Sequence, residues 1–95
     1  MKVRYTRRAY RDLVAILDYI DERSPQGGRN VKRAVQNSID LIGEHPKAGR
    51  MLGEHEIRVI PVNRYPYLIY WQTVADEVWL VHIRHASRRP WIGDP

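Results

Sequence analysis

Val3 and Tyr5 alternate with Lys2 and Arg4, the two-residue period of a short strand. Thr6 follows with a hydroxyl suited to capping a helix. From Arg7 to about Arg23 the period changes. Ala9, Leu13, Ile16, Leu17 and Ile20 recur on one helical face, while Arg8, Arg11, Asp12, Asp18 and Glu22 fall largely outside it. Ser24-Pro25 then breaks the pattern, because the residue before proline is driven out of helical geometry and proline suits the first turn of a new helix. Val31, Ala34, Val35, Ser38, Leu41 and Ile42 draw a second apolar stripe that stops before His45-Pro46. The two stripes predict an α-hairpin.

The stretch from Pro46 to Gly53 has two glycines, a proline and no period, and reads as a connecting loop. Three β-rich segments follow, Ile57 to Val62, Tyr67 to Thr73 and Val78 to Arg84, with hairpin-length separators at Asn63 to Pro66 and Val74 to Glu77. The expected fold class is α+β: an N-terminal strand, a helical hairpin, then a three-stranded antiparallel meander, in the order β-α-α-β-β-β. At 95 residues, with no repeat or linker, residues 1–95 form one domain.

Composition narrows the chemistry. With 43% hydrophobic and 28% charged residues the chain is apolar enough to build a core. It has no cysteine, which excludes a disulfide frame and thiolate metal sites and suits a reducing cytoplasm. No segment has the apolar run needed to span a bilayer, so no membrane partner is expected. The net charge of +5 favours nucleic acid or an acidic protein. HExxH, glycine-rich phosphate-loop and GxSxG patterns are missing, so no metal or other cofactor is expected.

The charge is concentrated late. Between Glu77 and Asp94 no carboxylate interrupts Arg84, Arg88 and Arg89, which share the stretch with His82, His85 and Trp91. Strand alternation would place Trp79, Val81 and Ile83 beneath the helices, and Leu80, His82 and Arg84 on the opposite face. Arg58 alternates in step with Ile60 and Val62. A face holding Arg58, His82 and Arg84, rimmed by Arg50, Arg64, Arg88 and Arg89, would be a cationic shelf for phosphates or carboxylates. Arg7, Arg8, Arg11, Lys32 and Arg33 lie among acids on helices and read as solvated surface. His82 and His85, three apart, point to opposite faces and cannot act as a pair in one pocket. Tyr67, Trp71 and Trp79 are expected in the core, because a chain without phenylalanine must draw on other aromatics; Trp91 is the aromatic best placed at a surface.

The ordered set resembles the RelE/ParE superfamily of bacterial type II toxin–antitoxin toxins, and ParE-type members most closely. It comprises the opening Tyr5-Thr6-Arg7-Arg8-Ala9 with Leu13, Ile16, Tyr19 and Ile20, the loop from Pro46 to Gly49, Arg58, the Tyr65 to Tyr70 region, and the ending from His82 through Arg88-Arg89-Pro90-Trp91. The resemblance implies a cytoplasmic toxin neutralised by a cognate antitoxin. ParE-type members are associated with inhibition of DNA gyrase, and RelE-type members cut mRNA in the ribosome without a metal. A shared fold does not choose between them.

RelE-like catalytic sets draw on lysines, arginines and a late tyrosine, and here neither tyrosine nor lysine follows Tyr70. That favours gyrase inhibition. The nuclease alternative would use Arg50, Arg58, His82, Arg84 and His85; a third reading is an inactive module that keeps only the antitoxin contact. Arg84, Arg88, Arg89 and Trp91 are the expected target-binding residues. Arg58, Arg64 and Leu80 are expected to meet the antitoxin, whose segment should be extended, acidic and amphipathic.

Overall fold

The computed structural model describes residues 1–53 and 55–87. Its elements are β1 (Lys2–Tyr5), α1 (Arg7–Asp21), α2 (Pro25–Glu44), β2 (Arg50–Leu52), β3 (Ile57–Pro61), β4 (Tyr67–Val74) and β5 (Glu77–His85). The strands form one sheet in the order β1-β5-β4-β3-β2. Strands β2 to β5 pair antiparallel in sequence, and β1 lies parallel to β5, with Lys2 opposite Glu77 and Tyr5 opposite Leu80.

Both helices begin where local chemistry predicts. The Thr6 hydroxyl accepts from Ala9 N–H, and the Ser24 hydroxyl accepts from Gly27 N–H with Pro25 in the first turn. The hairpin packs on one face of the sheet. Ala9, Val31, Val35, Ile39 and Ile42 meet Ile60, Val62, Ile69, Trp71, Val78, Leu80 and Ile83 in one core. Burying large side chains such as Trp71 contributes about 1.5–3 kcal/mol each. Leu41, expected in the α2 stripe, is 46% exposed, and Ile39 takes the inward position instead.

The stretch expected to be a loop contains β2, whose Leu52 is buried opposite Ile57. Three residues carry no readable period; the pairing partner supplies the structure. Gly49 enters this strand at φ 72°, and a Cβ there would lie 2.5 Å from Val59 O and 2.6 Å from Ile60 Cγ2. Ala75 and Asp76 both take positive φ in the two-residue turn between β4 and β5, the geometry that matches strand twist.

One irregularity resets the outer face of the sheet. Tyr70 pairs with His82 but Trp71 pairs with Leu80, so Val81 is an extra residue in β5. Such a bulge reverses the alternation beyond it. Val78 and Leu80 therefore face the helices before it, and Ile83 does so after it. Val81 instead packs with Leu52, Val59 and Tyr70 on the other face. The expected outward orientation of Leu80 and inward orientation of Val81 are both corrected by this residue. Trp79 is likewise outside the core, with Arg4 over its ring at 5.8 Å.

Candidate functional site

The most connected polar cluster among the described residues lies where β1 ends and β5 continues. Thr6 N–H and the Thr6 hydroxyl both donate to Leu80 O, carrying the chain along the β5 edge into α1. One and a half turns later, Asp12 reaches the same edge. Its Oδ2 accepts from Ile83 N–H at 3.1 Å and lies 2.6 Å from His82 Nδ1. The carboxylate thus takes the place of the strand that stopped at Tyr5.

His82 is 8% exposed. Its ring stacks on Tyr70, with centroids 5.7 Å apart. Burial holds the His82 pKa below the ordinary 6.5; the Asp12 hydrogen bond and charge pull it upward, and Arg8 and Arg84 add to the lowering. The arrangement suits a neutral imidazole that donates from Nδ1 to Asp12. Arg84, also 8% exposed, donates from Nε to the Tyr70 hydroxyl at 2.8 Å, with its guanidinium 5.6 Å from that ring. Asp12, Tyr70, His82 and Arg84 form one linked group.

Asp12 was not singled out from sequence, and Tyr70 entered only as part of the Tyr65 to Tyr70 region. The signal for Asp12 was its spacing: it lies three residues after Ala9 and four before Ile16, a carboxylate at the border of an apolar stripe.

The expected cationic shelf is divided. His82 and Arg84 do face away from the helices, but Arg58 pairs opposite Trp71 and shares the helical side with it. There Arg58 donates to Lys47 O at 2.8 Å, beside the Trp71 Nε1 bond to Pro46 O at 3.0 Å. Arg50 sits opposite Val59 on β2, three strands from β5, roughly 14 Å at about 4.8 Å per strand. His85 points away from His82, as expected: its ring meets Tyr67 edge-on, and its Nδ1 accepts from Ser87 N–H at 3.1 Å. Arg64 is exposed in the β3–β4 loop at φ 73°. Leu80, expected at a partner surface, is fully buried in the core. Arg88, Arg89 and Trp91 lie outside the described residues. Among the described residues no group of acids and histidines is placed to hold a metal ion, and no helix is long and apolar enough to cross a membrane.

A family model for the ParE toxin of the type II toxin–antitoxin system parDE matches residues 3–90. The chain is 35% identical over 89 residues to Toxin RelE2 of Caulobacter vibrioides, covering 92% of this chain and 97% of that one. Its fold is similar to a chain solved in a chromosomal ParDE toxin–antitoxin system from P. aeruginosa, with a TM-score of 0.69 at 23% identity, over 92% of this chain and 97% of the other. The same strand, helical hairpin and mixed sheet are therefore found in both. By the extent of the family match and the full-length likeness to a curated toxin, this chain belongs to the ParE toxin family of type II toxin–antitoxin systems.

Proposed function

We propose that this ParE-family toxin arrests growth by binding DNA gyrase in the bacterial cytoplasm, and that a cognate antitoxin neutralises it through an extended, acidic, amphipathic segment. The observation that carries the choice of target is the dispersal of the residues a nuclease would need. Metal-free RNA cleavage requires a base, an acid and phosphate-binding cations converging on one linkage. His82 is buried against Asp12, Arg84 is buried on Tyr70, Arg58 lies on the opposite face, and Arg50 is three strands away. A protein that acts by binding needs no such convergence.

On this reading the target contact belongs to Arg84, Arg88, Arg89 and Trp91, with Arg84 held by its hydrogen bond to the Tyr70 hydroxyl on β4. Arg58 and Arg64 remain candidates for the antitoxin contact. The name of the 35% identical relative, Toxin RelE2, favours a second reading, ribosome-dependent mRNA cleavage. Purified chain added to gyrase should block supercoiling, and transcripts in a translating lysate should stay intact. Codon-positioned cleavage with normal supercoiling would select the second reading. Unaffected growth on induction at good protein levels would leave an inactive antitoxin-binding module.

A further inference from the structure

β1 is an edge strand. In a parallel ladder alternate residues address the same neighbour, and Thr6 N–H bonds to Leu80 O. Lys2 and Arg4 thus share the β5 side, and the backbone N–H and C=O groups of Val3 and Tyr5 point to the free edge. The side chains of Val3 and Tyr5 turn toward α2. There they line an open cleft of about 450 Å³ with Ile39, Asp40, Gly43 and Glu44. The Met1 ammonium closes one end by donating to Gly43 O at 2.9 Å.

A strand with one edge unpaired among the described residues, beside a cleft, is the geometry that accepts an added strand, main chain to main chain, with alternate side chains dropping into the cleft. Charge selects the occupant. The cleft has an aliphatic floor and a wall bearing the Asp40 and Glu44 carboxylates, which suits a long side chain with an apolar stem and a cationic tip. A second copy of this chain fits poorly, because antiparallel pairing of two β1 strands would offer the cleft Val3 and Tyr5 of the other copy, while its Arg4 is held by Glu77 and faces away from the cleft. The overall positive charge does not override the local wall, since screening at physiological salt limits its reach to about 8 Å.

We propose that the free edge of β1 and the Asp40/Glu44 cleft together receive an extended segment of a partner protein that alternates basic side chains with small polar ones. It is separate from the acidic segment assigned above to Arg58 and Arg64, and it stands whether or not gyrase is the target.

The test uses the full chain and a short, capped, fluorescent peptide that alternates lysine and threonine. Anisotropy should report saturable binding. Asp40→Asn with Glu44→Gln should weaken it by roughly fivefold or more, the equivalent of about 1 kcal/mol. N-methylating the peptide at alternate residues should abolish binding in one register and spare it in the other, with the protein left unaltered. Absence of saturable binding, equal affinity for the double variant, or indifference to N-methylation in both registers would overturn the proposal. So would dimerisation of the chain alone, in sedimentation, that the same two substitutions remove.

Discussion

Asp12 serves two donors from different bonding systems, a backbone N–H left over when β1 ends and an imidazole on the far side of the bulge. Replacing it with alanine strands both. Because the Asp12 side chain is 23% exposed, water offsets part of the loss, and Asp12→Ala is expected to destabilise the fold by about 1–3 kcal/mol, read as a lower urea midpoint with an unchanged slope. His82 adds a pH dependence. Its folded pKa is lowered, chiefly by burial, so the unfolded chain takes up a proton first as pH falls below about 6.5. The stability held by neutral His82 is therefore complete above that value and is lost as pH falls through the lower folded one. Urea unfolding at mildly acidic and mildly alkaline pH should show this drop, and His82→Asn should flatten it even though Asp12, Arg8, Arg84 and Tyr70 remain around the site.

At the scale of elements, Thr6 joins three of them. Its hydroxyl caps α1 through Ala9 N–H and donates to Leu80 O, so it ends β1, starts α1 and fixes both to β5. Thr6→Ala removes both bonds and is expected to cost about 1–2 kcal/mol, whereas Thr6→Ser keeps the hydroxyl and should recover most of it. Thermal melts of the two variants separate these outcomes. The start of each helix was legible because a cap is a local device: Thr6 and Ser24-Pro25 act within one turn. The extra strand β2 was not, since its three residues gain their conformation from pairing with β3.

For the whole molecule, the helices cover one face of the sheet and leave to the other the buried cluster of Leu52, Val59 and Tyr70 with His82 and Arg84 beside it. The stretch between Glu77 and Asp94, which contains no acid, begins in β5 and runs on past it. Joint replacement of Arg88, Arg89 and Trp91 by alanine is expected to abolish growth arrest while leaving the antitoxin complex formed. Co-purification with the antitoxin, alongside colony counts after induction, checks both halves; full toxicity of the triple variant would remove the tail from the target contact.

The sequence by itself determined the helical hairpin, the three long strands and their turns, and the separation of His82 from His85, because all of these follow from periods and caps acting over a few neighbouring residues. Tertiary structure alone decided which face each late side chain occupies. Alternation is counted from strand pairing, and one inserted residue, Val81, reverses the count: it sends Leu80 into the core and leaves His82 outside it, against Asp12 from a helix seventy positions away. The short edge strand, the division of Arg58 from Arg84, and the cleft between β1 and α2 likewise exist only once distant segments are packed together.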